Sequence, residues 1–384
     1  MTNTEPAIAP LAPEDLPPGV RSRFVDNHNG LRMHVLEADH AVSGRPCIVL
    51  LHGFPELAYS WRKLMLPLAE AGFHVVAPDQ RGYGRTSGWD ADYDGDIASF
   101  RLPNLVRDVL GLVAALGYHT AAGVFGHDFG ASVAAWCALL RPDVFRRLAL
   151  MSSPFSGPPA LPFDTERHPL SAAPRDIHKD LAALERPRKH YQWYYGTREA
   201  NADMWHCRQG VHDFLRAYYH HKSADWPGNR PFPLHSWSAP ELARMPTYYV
   251  MDLAQDMAIT VAAHMPDAAQ IISKRWLPDA ELRVYSSEYQ RTGFQGGLQW
   301  YRCKTGHRFE AELQTWSGRT IDVPSIFIAG ACDWGIYQSP GALQTMQERA
   351  CTRMRGVHLL PGAGHWVQQE QPEATLAHLL ALLN

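Results

Sequence analysis

Short apolar runs alternate with amphipathic stretches along the first 150 residues of the chain. The apolar runs at residues 47–51, 73–77 and 122–125 each lead into turn-forming residues, a pattern typical of buried parallel strands. Residues 105–116 carry apolar side chains at helical spacing and end before Gly117, a residue type that favours helix ends. The alternation predicts an α/β fold, with a mostly parallel central sheet flanked by helices.

The alternation is interrupted in the middle of the chain. It stops after a predicted strand at residues 146–151 and resumes with another at 323–329. The intervening residues are rich in Trp, Tyr, His and Pro, and helical patterns occur at 211–221 and 248–264. We therefore expect a large, mainly helical cap over residues 155–318, inserted into the α/β core.

The two ends of the chain complete this division. Five prolines among the first twenty residues predict an extended arm over residues 1–22, with the first part of the core at 23–154. The second part, residues 319–384, has a helix near 341–349, a strand at 357–360 and a closing helix at 373–383.

The net charge, the apolar runs and the cysteine spacing argue against several kinds of partner and site. The chain has 36 basic and 39 acidic residues, a formal charge of −3 and no charged tail, which argues against nucleic acid or an anionic membrane as partner. Neither a secretory signal nor a run of about eighteen apolar residues is evident, so we expect a cytoplasmic protein. The cysteines lack any C-x-x-C pair, which argues against a disulfide framework or a zinc cage; they are Cys47, Cys137, Cys207, Cys303, Cys332 and Cys351.

The stretch GHDFG, residues 126–130, has the spacing of a nucleophile elbow with aspartate at its centre. A predicted strand precedes it and an apolar helical pattern at 131–140 follows. The Asp128 carboxylate is ionised at neutral pH and can attack saturated carbon without a base, forming an alkyl ester that water must then hydrolyse. The alternative is that Asp128 only caps the following helix.

Hydrolysis of such an ester requires a base, an acid that orients the base, and oxyanion donors. His365 lies in a glycine-rich loop after the last predicted strand, and Asp333 directly follows the strand before it. The backbone N–H groups of Phe54 and Phe129 are the expected oxyanion donors, and a cis Phe54–Pro55 bond is expected in the HGFPE motif. The alternatives are a surface histidine and a turn-forming aspartate.

Together these motifs resemble those of the α/β-hydrolase-fold epoxide hydrolases. HGFPE at 52–56, DQRGYGRTS at 79–87, GHDFG, the aspartate after the penultimate strand and the late GHW all match, and the likeness extends from about residue 35 onward. The resemblance implies an α/β-hydrolase fold and conversion of an epoxide to a vicinal diol. The partners implied are a small epoxide substrate and water, with no metal and no organic cofactor.

The family uses two cap tyrosines as acids for the epoxide oxygen. KHYQWYYG places Tyr191 in one family context, where Tyr194 and Tyr195 compete, and GFQGGLQWYR places Tyr301 in the other. The alternative for each tyrosine is a packing role with a satisfied hydroxyl. We also expect aromatic side chains to line the substrate pocket: Phe155, Trp193, Trp300 and Trp366.

Other functions match the sequence less well than epoxide hydrolysis. A haloalkane dehalogenase would use the same nucleophile, but Phe129 stands where such enzymes typically carry a halide-binding tryptophan, and GHDFG lacks the arginine of fluoroacetate dehalogenases. A non-catalytic ligand-binding protein would have a degenerate triad, whereas all three positions are occupied. The chain has no G-x-S-x-G, which argues strongly against a serine esterase.

The cap is longer than the resemblance implies around residues 201–245, and this extra segment carries several histidines. A metal site is a weak alternative there because no recognised ligand motif accompanies His206, His212, His220 and His221. A homodimer stays an open alternative.

Overall fold

The computed structural model describes residues 8–39, 44–165 and 176–384. Within these residues eight strands form one sheet, and two further strands pair in the middle of the chain. The strands are β1 (Val20–Asp26), β2 (Arg32–Ala38), β3 (Cys47–Leu51), β4 (His74–Pro78), β5 (Ala121–His127), β6 (Leu148–Met151), β7 (Arg188–His190), β8 (Val250–Asp252), β9 (Ser325–Gly330) and β10 (Met354–Leu360).

The large sheet runs in the order β1-β2-β4-β3-β5-β6-β9-β10. From β4 to β10 all neighbours are parallel, whereas β1 pairs with β2, and β2 with β4, in antiparallel fashion. The central strands are apolar and buried on both faces, as β3 and β6 illustrate. The predicted parallel strands are therefore confirmed. The antiparallel strands β1 and β2 were not predicted, and β1 is largely polar and only partly buried.

Helices cover the sheet and build the cap. They are α1 (Arg62–Glu70), α2 (Leu102–Ala115), α3 (Phe129–Leu140), α4 (Ile177–Ala182), α5 (Tyr191–Tyr195), α6 (Glu199–Trp205), α7 (Gly210–Lys222), α8 (Ala239–Leu242), α9 (Met257–Ala262), α10 (Ala268–Ser273), α11 (Asp279–Thr292), α12 (Gln295–Thr305), α13 (Glu310–Gln314), α14 (Ala342–Thr345), α15 (Val367–Glu370) and α16 (Pro372–Leu383). Helices α4 to α13 fall within residues 155–318, the extent that we propose for the cap. Within the described residues, no helix is both long and apolar enough to cross a membrane.

One predicted cap helix is wrong. Residues 248–264 do not form a continuous helix, because β8 occupies their first part and pairs with the distant β7. Helix α9 starts only after Asp256, whose carboxylate accepts the N–H of Ile259 at 2.7 Å and so caps the helix. Helix α7, by contrast, matches the prediction for 211–221 within one residue at each end.

The N-terminal segment packs more closely than an extended arm. Leu11 and Leu16 are buried, and the N–H of Leu11 donates to the hydroxyl of Ser22 at 2.8 Å. Strand β1 begins at Val20, three residues before the start predicted for the core. Residues 8–22 thus form part of the core surface, while residues 1–7 of the predicted arm lie outside the described residues.

Four loops meet where the parallel strands end. They follow β3, β5, β9 and β10, which share one direction, so their carboxyl ends lie at one edge of the sheet beneath the cap. The loops carry the HGFPE motif, Asp128, Asp333 and His365 respectively.

Candidate active site

Asp128 stands between the end of β5 and the start of α3 in a strained backbone conformation. Its φ is 52° and its ψ is −120°, outside the regions that side-chain-bearing residues favour. It occupies the N-cap position of α3, yet its carboxylate makes no capping hydrogen bond. The geometry therefore favours the elbow over a simple helix cap.

The elbow glycines allow close approach of neighbouring backbones. A Cβ on Gly126 would lie 2.2 Å from the carbonyl oxygen of Gly130, and one on Gly130 would lie 2.3 Å from that of Leu51. Neither glycine has a positive φ. The turn thus concentrates its strain on Asp128 itself and uses the glycines for space.

The imidazole ring of His365 lies between the carboxylates of Asp128 and Asp333. Nδ1 of His365 hydrogen-bonds to Oδ1 of Asp333 at 3.1 Å, and Nε2 of His365 lies 3.4 Å from Oδ2 of Asp128. All three are almost wholly buried. Within the described residues Nε2 has no hydrogen-bond partner.

The other carboxylate oxygen of Asp128 accepts a backbone hydrogen bond. The N–H of Phe54 donates to Oδ1 at 3.1 Å, and the Phe54–Pro55 bond is cis as predicted. A Cβ on Gly53 would lie 2.4–2.9 Å from atoms of the Asp128 side chain. The second expected donor, the N–H of Phe129, follows Asp128 at the first residue of α3.

Charge interactions keep the triad carboxylates ionised. Burial alone would raise the pKa of Asp128, but His365, Lys222 and His127 outweigh it and hold that pKa well below its ordinary range. Burial likewise opposes ionisation of Asp333, and His365 with hydrogen-bond donors lowers the pKa of Asp333 in spite of it.

Tyr191 and Tyr301 lie in the cap, close enough to Asp128 for its charge to act on their hydroxyls. Their ring centroids are 6.0 Å apart, and both side chains are buried. Burial and then the negative charge of Asp128 raise the pKa of each hydroxyl well above its ordinary value, so both remain protonated. The hydroxyl of Tyr191 donates to Oε1 of Gln338 at 3.1 Å and accepts from Nε2 of Gln192 at the same distance.

The neighbouring tyrosines have other partners. The hydroxyl of Tyr194 donates to Asp203 at 2.9 Å, and that of Tyr195 donates to Tyr218 at 3.2 Å. Tyr195 packs its ring against Tyr301 at a centroid distance of 5.0 Å. Of the three tyrosines in KHYQWYYG, Tyr191 is thus the one whose hydroxyl is held by a residue of the core, Gln338.

A buried ion pair supports the backbone of His365. Nδ1 of His127 lies 2.5 Å from Oε2 of Glu56, and Nε2 of His127 lies 2.7 Å from the carbonyl oxygen of His365. Burial alone would lower the pKa of His127, but Glu56 outweighs it and raises that pKa, so both ring nitrogens can carry protons and donate. The sequence prediction did not single out this pair, although Glu56 lies in the HGFPE motif and His127 in GHDFG.

Lys222 is a second feature that sequence reasoning missed. It is 2% exposed at the end of α7, and its ammonium group lies over four aromatic rings; they belong to Tyr218, Tyr248, Tyr249 and Trp366. Burial lowers the pKa of Lys222, whereas Asp128, Asp333 and Glu56 oppose that shift. Its charge helps to balance the buried carboxylates, and no local sequence pattern separates it from other helical lysines.

The predicted pocket residues take different positions. Phe155 and Trp300 line a cavity of about 310 Å³ together with Phe129. Trp366 packs against His365 at a ring-centroid distance of 4.7 Å. Trp193 is not brought to the site: it lies beside His178 and His190 and lines a separate surface depression, because its helix turns the ring away from Tyr191.

Two of the cap histidines have polar partners, whereas His221, among the described residues, only packs its ring against others such as that of His264. His212 contacts Ser286 and Asp279, each at 3.0 Å, and Nδ1 of His220 lies 2.6 Å from Nζ of Lys274. Across the described ranges, no group of three or more His, Cys, Asp or Glu side chains is arranged to hold a metal ion.

Comparison with known proteins places this architecture in a family. A family model described as the alpha/beta hydrolase fold matches residues 46–372. Epoxide hydrolase A of Mycobacterium tuberculosis is 34% identical over 375 residues, covering 94% of this chain and 96% of that protein. Two solved structures agree: an epoxide hydrolase from an endophytic Streptomyces has a TM-score of 0.75 and 30% identity, covering 96% of each chain. Epoxide hydrolase A from Mycobacterium thermoresistibile has a TM-score of 0.73 and 31% identity, covering 95% of this chain and 98% of that one.

The fold and the elbow define an α/β-hydrolase-fold protein with an aspartate in the nucleophile position. Within that class, the chain belongs to the epoxide hydrolase family. The predicted fold class and family are thereby confirmed.

Proposed function

We propose that this protein hydrolyses an epoxide to a vicinal diol through an alkyl ester on Asp128. Family membership makes the chain a hydrolase, with an epoxide and water as its substrates. The observation that carries the mechanism is the position of one ionised carboxylate: Phe54 donates to one of its oxygens, His365 flanks the other, and two protonated tyrosines face it.

In the first step, an oxygen of Asp128 attacks an epoxide carbon and the ring carbon–oxygen bond breaks. The ring oxygen leaves with the electron pair of that bond and takes a proton from one tyrosine hydroxyl, while the other tyrosine donates a hydrogen bond. Two donors are needed because an unaided alkoxide is a poor leaving group. The products are a hydroxyalkyl ester of Asp128 and a tyrosinate.

In the second step, His365 takes a proton from water as the water oxygen attacks the ester carbonyl carbon. The N–H groups of Phe54 and Phe129 stabilise the oxyanion of the tetrahedral intermediate. Collapse expels the diol oxygen, which takes the proton from His365, and the regenerated carboxyl group of Asp128 returns its proton to the tyrosinate. Asp333 holds the histidine ring throughout.

A single turnover in water labelled with heavy oxygen tests this assignment. With enzyme in excess, the diol should be mostly unlabelled and Asp128 should carry the label, because the diol oxygen comes from the carboxylate. Direct attack of water on the epoxide predicts a labelled diol and an unlabelled enzyme, and that result would remove Asp128 as the nucleophile.

Assays with epoxides and bromoalkanes test two alternative functions. A haloalkane dehalogenase would release halide from bromoalkanes faster than it forms diol from epoxides. A non-catalytic binding protein would form neither product and no ester. We expect diol formation to dominate, and unaltered activity in the presence of a chelator, since the steps above use no metal or organic cofactor.

Two further properties remain proposals. We propose a cytoplasmic location, supported by six cysteines that are all free, and cell fractionation tests it. We also propose a homodimer, to be tested by light scattering on the purified chain at several concentrations.

A further inference from the structure

Glu370 lies at the end of α15 and binds both sides of the loop that carries His365. Its Oε2 accepts the N–H of Gly364 at 3.0 Å, and its Oε1 accepts the N–H of Trp366 at 3.0 Å. These two amides directly flank His365 in the chain. One carboxylate therefore fixes the backbone on either side of the histidine.

The same carboxylate also reaches the cap. Oε2 of Glu370 accepts the N–H of Ala224 at 2.8 Å, and Ala224 lies two residues beyond the end of α7. Next to this contact, the N–H of His365 donates to the carbonyl oxygen of Lys222 at 2.9 Å. The histidine loop and the cap segment 222–224 thus share two bridges, one through Glu370 and one directly between backbones.

Close packing leaves little freedom at this junction. A Cβ on Gly364 would lie 2.5 Å from the carbonyl carbon of Ser223 and 2.6 Å from the nitrogen of Ala224 and the oxygen of Lys222. Two backbones therefore meet here without an intervening side chain. A change on either side must move the histidine loop relative to the cap.

We propose that Glu370 is a positioning residue that aligns His365 for ester hydrolysis by joining the histidine loop to cap residues 222–224. The inference rests on the proposed function, because it takes His365 to be the base of the second step. It also gives a role to part of the extra cap segment, which sequence motifs did not explain. Ring opening, which uses Asp128 and the tyrosines, does not depend on this alignment.

The ionised form of Glu370 is the one that accepts all three bonds. Burial raises the pKa of Glu370 to about 7, Asp225 adds to that shift, and the three backbone donors oppose it. The other titratable groups facing it are Cys332, Tyr248 and Lys274. In Glu370→Gln, one side-chain position becomes an N–H₂ donor, so at least one of the backbone amides loses its acceptor.

Steady-state kinetics of Glu370→Gln separate positioning from a merely structural role. In the proposed mechanism kcat/KM reports the steps through ring opening, and slowed ester hydrolysis limits kcat; we therefore expect kcat and KM of this variant to fall together, by about tenfold or more. Quenched samples should contain more of the Asp128 ester than the wild type. Glu373→Gln, an exposed change three residues along the chain, is the matched control and should behave as the wild type.

Gly364→Ala reaches the same junction from its other side and should give the same fall in kcat and KM, which keeps the test valid if one variant does not fold. A proportional loss of kcat and kcat/KM in either folded variant, or wild-type kinetics in both, overturns the inference. Absence of any Asp128 ester in both the wild type and His365→Gln would instead refute the proposed function, so the two failures are distinguishable.

Discussion

The two halves of the site are constructed differently. In the core, Asp128, Asp333 and His365 stand on loops at the ends of parallel strands, where strand register and hydrogen bonds fix them. In the cap, Tyr191 and Tyr301 stand on α5 and α12 among packed aromatic rings, and the hydroxyl of Tyr191 is also hydrogen-bonded. In the proposed mechanism, the backbone-anchored groups perform chemistry that needs fixed geometry, whereas the tyrosines supply protons to an oxygen whose position depends on the substrate.

The core and cap halves of the site also differ in charge. The core side carries the ionised carboxylates together with His127, whereas the tyrosine hydroxyls on the cap side are neutral. Two buried cap lysines, Lys222 and Lys304, are exceptions, because Asp128 opposes the lowering of the pKa of each by burial. We therefore expect changes to the cap tyrosines to act on ring opening and changes to His365 to act on ester hydrolysis.

The largest effect is expected from removing both cap acids. Tyr191→Phe with Tyr301→Phe should slow formation of the Asp128 ester by about 10⁴-fold, since each lost donor costs about 10²-fold. Rapid-quench mass spectrometry of single turnovers measures the rate. Tyr194→Phe is the control, because that hydroxyl donates to Asp203, and it should stay near the wild-type rate. Unchanged ester formation in the double variant would remove both tyrosines from the mechanism.

His365→Gln tests the role assigned to the core half of the site. Ester hydrolysis should slow by about 10³-fold, within the usual range for loss of a general base, while ring opening continues. The protein should then accumulate with the added mass of one substrate molecule. His206→Gln, a change at an exposed cap histidine, should show no such adduct. If His365→Gln slows ring opening as much as hydrolysis, the separation of roles by region is wrong.

The core half of the site could be predicted from the sequence more completely than the cap half. Asp128, Asp333 and His365 could be placed because each follows an apolar strand and local motifs mark the turns. Tyr191 needed the family resemblance, since nothing local separates it from Tyr194 and Tyr195. Glu370 and Lys222 were missed because their contacts join segments far apart in the chain, and Trp193 was misjudged because sequence adjacency to Tyr191 does not fix the direction of its ring.

A smaller effect should follow from a change in the oxyanion loop. Gly53→Ala places a methyl group 2.4–2.9 Å from Asp128 side-chain atoms and must displace the N–H of Phe54. We expect kcat to fall by about 10²-fold, a typical cost for losing one oxyanion donor. Gly72→Ala has open space around its Cβ but a positive φ, so it controls for the loss of stability that an added methyl group can cause. A variant Gly53→Ala with wild-type kcat would exclude the loop as an oxyanion hole.

The smallest expected effect is that of pH on ring opening. The pKa of Asp128 is lowered from 3.8, so the carboxylate stays ionised as the pH falls toward 5, and it would lose its nucleophilic form only below that. The pKa values of Tyr191 and Tyr301 are raised above 10.0, so both acids stay protonated as the pH rises toward 10. Between these limits each region keeps its reactive protonation state, and the single-turnover rate of ester formation should vary by less than about threefold, since neither group titrates there. Rapid-quench measurements from pH 5 to 10 give this rate directly. A decline with a midpoint near 8 or 9 would mean that a tyrosine ionises inside the range, in which case the negative charge of Asp128 does not protect the cap acids as the structure indicates.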